Sequence, residues 1–388
     1  MAHSGKIRLM RIIARMNVGG PAIQISGIEQ NLNESIFEHL LVTGHCDETE
    51  IDYLIENEIN LKVKKIPGLG KKVSFMGDLR ALILIRNMIQ QFNPDIVHTH
   101  TAKAGLLGRL AVLSTKKNVL LVHTFHGHLL HGYFSSIVTS VIVLIEKILA
   151  SKTDILISVG KRVRDELLHV GIGIENQYRI VNPGLTIAPL PSRDLALSKY
   201  GLNPANRYIS CLGRLVRVKR PDRLLEIAAW LKINYPGVRI IIAGDGPMRE
   251  EIEQEAEKSA LPIEFLGWVL DIESILALSE LMILTSDNEG TPLSLIQAQM
   301  AGLPVVATDV GSVSEIVLNE ETGFVVPTDT ESINEAINEL LIDREKARIM
   351  GQRAQVRALE LYSVERLVRD HEKIYLDLIK SVQPRSRP

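Results

Sequence analysis

The sequence predicts an α/β protein of two facing domains, each a doubly wound parallel sheet, with a cleft between them. Its 388 residues are 46% hydrophobic, which is enough chain to bury two or three separate cores. Apolar runs alternate with helical patterns along nearly the whole length, and strands that are apolar throughout are typical of parallel sheets covered on both faces. The predicted strands are "RLMRIIA", "HLLVTG", "DIVHTH", "VLLVHT", "DILISV", "RYISCLG", "VRIIIAG", "LMILT", "PVVAT" and "GFVVP".

A proline-rich segment divides these strands into two series of five. The segment "NPGLTIAPLPSRD" covers Asn182–Asp194 and lies between the fifth and the sixth strand. Its prolines interrupt any regular element, because proline lacks a backbone N–H and restricts its own φ. We therefore predict an N-terminal domain over 1–185 and a C-terminal domain over 186–363.

Charge and cysteine content narrow the class of protein. The formal net charge is -2, so no nucleic-acid partner is predicted. Cys46 and Cys211 lack metal-type spacing, which fits a reducing, cytoplasmic setting better than a disulfide scaffold.

Neither the amino terminus nor the longest apolar segment predicts a membrane-spanning or secretory element. The amino terminus, "MAHSGKIRLMRIIARM", is broken by basic residues and predicts a first strand rather than a signal peptide. The longest apolar segment, "SSIVTSVIVLIEKILA", contains Glu146 and Lys147 and is too short to span a bilayer. It predicts a core helix, with attachment to a membrane surface as the alternative.

Polar and glycine-rich stretches follow the predicted strands in both halves. They are "NVGG", "HTHTAKAG", "HTFHGH", "GRLVRVK", "AGDGP", "SDNEGTP" and "TDVGS". In an open parallel sheet, ligands bind beyond the carboxyl ends of the strands. The cleft between the two domains is therefore the predicted active site.

The stretch "SDNEGTPLSLIQAQMAG" predicts an anion site at a helix start. Thr291 is the expected N-cap and Pro292 the first helical residue, which leaves backbone amides of Gly290, Thr291 and Leu293 for a phosphate. Glu289 can accept hydrogen bonds from nearby hydroxyl groups. The alternative is an ordinary βα turn with a good cap.

Two further loops carry residues suited to a diphosphate. Arg214 and Lys219 lie in "GRLVRVK", where two cations can neutralise a leaving diphosphate; the alternative is solvated surface charge. Gly19 and Gly20 in "NVGG" let backbone approach a ligand, although a tight turn explains them equally. No Gly-x-Gly-x-x-Gly and no Gly-Lys-Ser/Thr loop occurs, which disfavours dinucleotide binding and ATP hydrolysis.

Histidines cluster in the first half, and the sequence leaves three interpretations. His98 and His100 form a His-x-His pair of the kind seen in metal hydrolases, but no acidic residue is spaced to complete a metal site. The histidines can instead be hydrogen-bonded at strand ends. In the third interpretation His126, before Gly127, binds a sugar hydroxyl or acts as a general acid–base group. The other members of the cluster are His123, His128 and His131.

Taken in order, these stretches resemble the retaining glycosyltransferases of family 4, bacterial-type enzymes with the GT-B fold of two Rossmann-like domains. The resemblance runs almost the full length through "NVGG", "HTFHGH", "VNPGL", "GRLVRVK", "AGDGP", "EGTPLSLIQAQMAGLPVVATDVG" and "ETGFVVP". It implies a nucleotide-sugar donor held mainly by the second domain and an acceptor held mainly by the first. It also implies that the final helix, within 364–388 and beginning near "SVERLVRDHEKIYLDLIK", packs on the first domain.

The resemblance also assigns roles to single residues. Glu289 would orient the donor sugar, and His126 would contact it near the reacting carbon. The base would lie against Gly267 and Trp268. The residues implied for the donor diphosphate are Gly19, Gly20, Arg214, Lys219, Gly290, Thr291 and Leu293.

One position departs from the family pattern, which is Glu, seven residues, then Glu. Here the second carboxylate, which would accept bonds from the ribose, is replaced by Gln297. A glutamine carbonyl accepts one such bond without the charge-assisted strength of a carboxylate. Weaker donor binding, or loss of activity, is the expected consequence.

The leading expectation is a retaining, metal-independent hexosyltransferase that moves a sugar from a UDP-sugar to an acceptor hydroxyl in polysaccharide or glycolipid synthesis. No Asp-x-Asp occurs for metal chelation, so no metal or cofactor beyond the nucleotide sugar is expected. The alternatives are a nucleotide-sugar epimerase, a catalytically weakened nucleotide-sugar-binding protein, and a metal hydrolase built on His98 and His100.

A basic and apolar stretch in the first domain suggests a membrane contact. Lys64, Lys65, Lys71 and Lys72 precede "VSFMGDLRALILIRNMI", a combination suited to an anionic membrane surface or a lipid-linked acceptor. A solvated loop leading to a core helix is the alternative. The expected location is the cytoplasm, with peripheral attachment to the inner membrane face as a hypothesis.

Overall fold

The computed structural model describes residues 5–48, 50–115, 117–127 and 136–382, and it confirms the predicted α/β class with two parallel sheets. The chain divides into two compact units. The first contains the residues up to Leu185 together with those from Ser363 onward, and the second is Thr186–Tyr362.

The described part of the first unit contains a seven-stranded parallel sheet in the order β3-β2-β1-β4-β5-β6-β7. The strands are β1 Ile7–Ile13, β2 Phe37–Thr43, β3 Val63–Lys65, β4 Ile96–His100, β5 Leu120–Phe125, β6 Ile155–Ser158 and β7 Tyr178–Ile180. The α-helices before Leu185 are α1 Gly20–Asn31, α2 Tyr53–Glu56, α3 Phe75–Phe92, α4 Ala102–Leu113, α5 Ser136–Ala150 and α6 Lys161–His169.

The second unit contains a six-stranded parallel sheet in the order β10-β9-β8-β11-β12-β13. The strands are β8 Arg207–Leu212, β9 Val238–Ala243, β10 Ile263–Gly267, β11 Ser279–Leu284, β12 Val305–Thr308 and β13 Gly323–Val326. The helices are α7 Arg193–Tyr200, α8 Pro221–Asn234, α9 Arg249–Lys258, α10 Ile272–Leu278, α11 Leu293–Met300, α12 Val313–Ile316, α13 Thr330–Ile342 and α14 Arg344–Tyr362.

The last described helix, α15 (Val364–Val382), belongs to the first unit and packs against α1. Its Leu367 and Tyr375 lie in one apolar core with Leu9 of β1, while Met10 packs into the core on the opposite face of the sheet. Successive residues of a strand point to opposite faces, so Arg11, two residues after Leu9, is buried on the α15 side.

Each sheet has one point where the strand order reverses. In the first unit this switch lies between β1 and β4, and in the second unit between β8 and β11. Ligands of doubly wound sheets bind at the carboxyl ends of the strands beside such a point. The "NVGG" and "HTHTAKAG" stretches follow β1 and β4, while "GRLVRVK" and "SDNEGTP" follow β8 and β11.

The prediction that "SSIVTSVIVLIEKILA" forms a core helix is wrong in one respect. The segment contains α5, but that helix turns apolar residues outward and its charged Glu146 inward. The reason is an ion pair, because Arg109 of α4 donates to both carboxylate oxygens of Glu146 at 2.8 and 2.7 Å. The exposed apolar residues of α5 are Val138, Val141, Leu144 and Ile148.

No helix among the described residues combines the length and apolar character needed to cross a bilayer.

Candidate functional site

The loops after β8 and β11 meet at the switch point of the second unit. Lys219 ends a short 3-10 helix, Arg217–Lys219, and its ammonium donates to the carboxylate of Glu289. Ser286 Oγ donates to the same carboxylate oxygen at 2.6 Å. Glu289 is only 7% exposed, so this charge is held by its partners rather than by bulk water. The structure thus brings together two residues that the sequence assigned to different parts of the donor.

Backbone contacts hold these two loops against each other. The Asp287 amide donates to the Val218 carbonyl at 2.8 Å, and Thr285 Oγ1 donates to the Lys219 carbonyl at 3.0 Å. Arg223, which sequence analysis missed, donates to the Thr285 carbonyl at 2.6 Å and pairs with Asp287 at 2.7 Å. The only sequence signal for Arg223 was its place in the first turn of the helix after the basic loop. The position of Lys219 is therefore fixed from several sides.

Arg214 lies in the same loop as Lys219 but has a different environment. Its side chain is exposed, and its guanidinium makes no hydrogen bond or ion pair with the described residues. Arginine offers five N–H donors in a planar fork that suits phosphate oxygens. The Arg214 guanidinium thus keeps its donors exposed, whereas Lys219 shares its charge with Glu289.

The helix after the acidic turn begins one residue later than predicted. Helix α11 starts at Leu293, and Pro292 is its N-cap, with an extended backbone at φ -71 and ψ 106. The expectation of Thr291 as N-cap is therefore wrong, and within the described chain no side chain caps α11. Because Pro292 is itself extended rather than helical, the cap moves to Pro292 and Thr291 lies one residue further from the helix. Gln297 lies one turn after Leu293, on the same face, and is partly exposed.

The turn that contains Glu289 and Gly290 is packed tightly against the loop after β12. The Ser312 amide donates to the Gly290 carbonyl at 3.2 Å. A Cβ added to Gly311, which has φ +55, would lie 1.6 Å from the Glu289 carbonyl oxygen. Only glycine fits at position 311, and any larger residue would displace the Glu289 backbone.

The residues predicted for the base lie at the same edge of the second sheet, two strands from β8. Gly267 ends β10 with φ +67, and its carbonyl accepts from the Gly244 amide at 2.7 Å. A Cβ at Gly267 would lie 2.7 Å from Arg249 Nη1. Trp268 follows with 40% of its surface exposed.

In the first unit, the predicted glycines form the start of α1. Gly19 is the N-cap and Gly20 the first helical residue, and no side-chain hydrogen bond caps this helix in the described chain. The loop before them is held by the Val18 amide, which donates to the Ile51 carbonyl at 3.0 Å. Gly19 and Gly20 therefore lie at the carboxyl end of β1, beside the β1/β4 switch point.

The His-x-His pair does not present two metal-binding nitrogens. His98 is fully buried, with Nδ1 2.6 Å from Tyr375 Oη and Nε2 2.7 Å from Thr124 Oγ1. His123 is also buried, with Nδ1 2.8 Å from Thr99 Oγ1. No cluster of three or more His, Cys, Asp or Glu side chains suited to a metal occurs in the described ranges. The two further histidines of the sequence cluster, His128 and His131, lie outside the described residues.

His126 pairs with His100 at the end of β4. His100 Nδ1 and His126 Nε2 are 2.9 Å apart, and the ring centroids are 5.1 Å apart. Burial, followed by the Arg11 cation, lowers the pKa of His126 to about 4. Burial also lowers the pKa of His100 well below its ordinary value. Both rings are therefore neutral near pH 7, and His126 suits a hydrogen-bonding role better than a charged one.

Two protein families match almost the whole chain. Residues 18–187 match the family described as Glycosyltransferase Family 4, and residues 192–357 match Glycosyl transferases group 1. The two matches meet near the boundary between the units.

Curated relatives and solved structures agree with these matches. The chain is 26% identical over 334 residues to the UDP-Gal:alpha-D-GlcNAc-diphosphoundecaprenol alpha-1,3-galactosyltransferase of Escherichia coli, covering 81% of this chain and 83% of that protein. It is 26% identical to the N-acetyl-alpha-D-glucosaminyl L-malate synthase of Bacillus anthracis, covering 78% and 80%. A structure of Anabaena Alr3699/HepE in complex with UDP has a TM-score of 0.78 at 20% identity, covering 96% of this chain and 100% of that one.

Proposed function

Because this chain belongs to the family 4 glycosyltransferases with two Rossmann-like domains, the GT-B fold, we propose that it transfers a hexose from a UDP-sugar to an acceptor hydroxyl with retention and without a metal. The observation that carries the proposal is the contact of Lys219 with Glu289 at the switch point of the second sheet. There a cation for the diphosphate and a carboxylate for the sugar lie side by side.

The proposed donor site follows from the chemistry of these groups. A lysine ammonium has three donors, so Lys219 can keep its bond to Glu289 and still donate to a phosphate oxygen. Arg214 and the first-turn amides of α11 supply further positive charge to the diphosphate as its bond to the sugar breaks. Glu289 retains acceptor capacity for a sugar hydroxyl. The acceptor oxygen then bonds to the anomeric carbon on the face that the diphosphate leaves, and its hydroxyl proton passes to the departing diphosphate oxygen.

We assign the base to uridine because of the relatives. The Escherichia coli relative is named for UDP-Gal, and the Anabaena structure contains UDP. In this chain Gly267 brings backbone close to the base and Trp268 offers an aromatic face. Gln297 is assigned to the ribose. Metal independence is proposed because Arg214 and Lys219 supply the positive charge that a chelated cation would otherwise supply.

A lipid-linked saccharide is the proposed acceptor class, which places the reaction in polysaccharide or glycolipid synthesis. The Escherichia coli relative is named for a diphosphoundecaprenol-linked acceptor. Two exposed apolar surfaces of the first unit support contact with a membrane that would hold such an acceptor. One is the outer face of α5, and the other is the start of α3 with the loop before it, including Val73, Phe75 and Met76.

The charge around α3 is weaker than the sequence suggests. Of the four lysines near it, Lys65 pairs with Asp52 at 2.6 Å and Lys71 lies 3.7 Å from Glu50. The remaining lysines, Lys64 and Lys72, are exposed. Apolar insertion would therefore contribute more to binding than electrostatic attraction, and membrane binding should persist in moderate salt.

The membrane proposal is tested by sedimentation with vesicles that contain anionic lipid. A Phe75→Ser, Met76→Ser double variant should lose vesicle binding, because Phe75 is 82% exposed and its loss removes apolar area without touching the core. Ile233→Ser is the matched control, since Ile233 is equally exposed but lies on α8 of the second unit. Equal binding by all three proteins, or no binding by the wild type, would contradict the proposal.

The donor site is tested by calorimetric titration with UDP, GDP and ADP, each with magnesium and with chelator. The wild type should bind UDP regardless of chelator, and an Arg214→Ala, Lys219→Ala double variant should lose that binding. Lys232→Ala, an exposed lysine of α8 that contacts only the Ser259 carbonyl among described residues, is the control and should bind normally. Binding that needs magnesium, or that survives the double variant, would contradict the assignment.

Turnover distinguishes the transferase from the alternatives raised by the sequence. With a UDP-sugar and an acceptor extract, transfer releases UDP, whereas epimerisation converts the sugar without releasing the nucleotide. A weakened binding protein would bind UDP without either change. A metal hydrolase at His98 and His100 would need His98 to release one of its two present hydrogen-bond partners, and chelator would abolish its activity.

A further inference from the structure

The His100–His126 pair is more constrained than an ordinary buried contact. His100 is the last residue of β4 and is 1% exposed, while His126 directly follows the neighbouring strand β5 and is partly exposed. One hydrogen bond joins them, between His100 Nδ1 and His126 Nε2 at 2.9 Å. Their other ring nitrogens, His100 Nε2 and His126 Nδ1, are buried and have no partner among the described residues. The unmatched atoms need an explanation, because buried polar atoms are normally hydrogen-bonded.

The bond between two neutral imidazoles allows only two arrangements. One ring must donate and the other must accept, so the proton position on His100 determines the proton position on His126. If His100 donates from Nδ1, its own Nε2 carries a bare lone pair and His126 carries its proton on Nδ1. If His126 donates from Nε2, the unmatched N–H lies on His100 Nε2 instead.

Burial decides between these arrangements. A buried N–H without an acceptor is rarer in proteins than an acceptor without a donor. His100 is enclosed by the fold, whereas the His126 ring is partly exposed at the end of β5, although its Nδ1 atom is itself covered. The unmatched N–H is therefore better tolerated on His126, because its ring borders the surface from which a ligand would come. We propose that His100 is a positioning residue: it donates from Nδ1 to His126 Nε2 and thereby holds the His126 Nδ1–H ready to donate to a ligand oxygen.

The surroundings hold His100 in place from the interior. Arginine cannot accept a hydrogen bond, so Arg11 Nη2 donates to Tyr375 Oη at 3.2 Å. The Tyr375 hydroxyl proton is then directed to its other partner and is donated to His98 Nδ1. Neutral His98 then carries its proton on Nε2 and donates to Thr124. The ring of His98, fixed in this way, lies 4.1 Å from the ring of His100 between centroids.

Backbone strain follows His100 directly. Thr101 has φ 65 and ψ 158, a conformation that residues with a Cβ rarely adopt. Such strain persists where the surrounding structure over-determines the backbone, and it clusters at functional sites. Here it lies at the β1/β4 switch point, one residue from the proposed positioning group.

The identity of the ligand oxygen rests on the proposed function together with the family resemblance, which implies that His126 contacts the donor sugar. The hydrogen-bond arrangement itself does not, because it is a property of the protein alone. The two parts can therefore fail separately, and each has its own measurement.

The arrangement is tested by long-range proton–nitrogen NMR correlation on the full chain with labelled histidine. We expect wild-type His126 to carry its proton on Nδ1. In His100→Leu the constraint is lost, and the His126 nitrogen shifts should move towards the average of the two tautomers. His123→Leu, which removes an equally buried histidine of β5 that is bonded to Thr99, should leave them unchanged. A wild-type His126 protonated on Nε2, or identical spectra in His100→Leu, overturns the proposal.

The functional part is tested by kinetics with the transferase assay. Misplacing a contact group by about 1 Å can cost on the order of a hundredfold in rate, so His100→Leu should lower kcat by ten- to a hundredfold with little change in donor KM. His100→Asn should recover much of this loss, because its amide can donate near the position of Nδ1. Equal activity in all His100 variants overturns this part even if the tautomer result holds.

Discussion

Replacing Tyr375 with Phe tests the buried network that ties α15 to the first sheet. The Tyr375 side chain is fully buried, and its hydroxyl is the link between Arg11 and His98. Arg11 Nε lies 2.8 Å from Glu29 Oε1, but the alignment falls short of a hydrogen bond. Within the described residues, the bond to Tyr375 is therefore the one well-aligned hydrogen bond that the Arg11 side chain makes.

These contacts set the loss of unfolding free energy expected for Tyr375→Phe. Removing the hydroxyl leaves one donor of a buried cation and one buried histidine acceptor unmatched, and each such group costs about 1–3 kcal/mol. Because the bonds are coupled, the two costs are not fully additive, and we expect a loss of about 3 kcal/mol. Tyr178→Phe is the matched control in the same unit: its hydroxyl makes a single bond to the Ile172 carbonyl at 2.8 Å, so about 1 kcal/mol is expected.

The assay is urea unfolding followed by two probes. Circular dichroism reports on both units, whereas both tryptophans, Trp230 and Trp268, lie in the second unit. Tyr375→Phe should lower the midpoint of the first unit by roughly 1 M urea and leave the fluorescence transition in place. A loss no larger than that of Tyr178→Phe, or a shift confined to the fluorescence, would refute the network.

Three further predictions concern affinity, a buried charge and pH. Gln297→Glu should tighten UDP binding about tenfold in calorimetry, because a carboxylate accepts a stronger bond than an amide; unchanged affinity would remove Gln297 from the ribose site. Glu146→Leu leaves the Arg109 cation buried and unpaired and should cost about 3–5 kcal/mol in urea unfolding, while adding Arg109→Met should recover most of it. Burial holds the pKa of His126 at about 4 and that of His371 at about 3, below the ordinary value of 6.5. These histidines therefore take up protons on unfolding below pH 6.5. The free energy of unfolding should be at its full value above about pH 6.5 and should fall steadily as the pH drops towards 4. An unfolding midpoint that does not depend on pH in this range would contradict the prediction.

The fold class was predictable because its signals are local. Apolar strands, helical spacing and the proline segment each extend over a few residues, and all point to two parallel sheets. The loops at the carboxyl ends of the strands were predictable for the same reason, since strand ends and glycine-rich turns are read directly from the chain. Lys219 and Glu289 were both singled out in this way, each from its own loop.

Their contact was not predictable, because it joins residues 70 positions apart. Arg223 was missed since a basic residue in a first helical turn is common, and only the packed loops show that it holds Thr285 and Asp287. The cap of α11 was misassigned by one residue, because Pro292 has an extended backbone and takes the N-cap position itself. The fixed φ of proline suits an extended backbone as well as a first helical residue, so the sequence does not distinguish the two.

Sequence alone determined the chemistry available to this protein: two doubly wound sheets, a basic loop, an acidic turn before a helix and a group of histidines. Tertiary structure decided which of these groups meet and which are enclosed. His98 is bonded to Tyr375 from 277 positions away, and so becomes part of the interior. Burial and pairing depend on distances in space, and the spacing of residues along the chain does not contain them. The same holds for α5, whose apolar residues face outward. Its Glu146 is turned inward by a buried partner, Arg109, that lies on another helix.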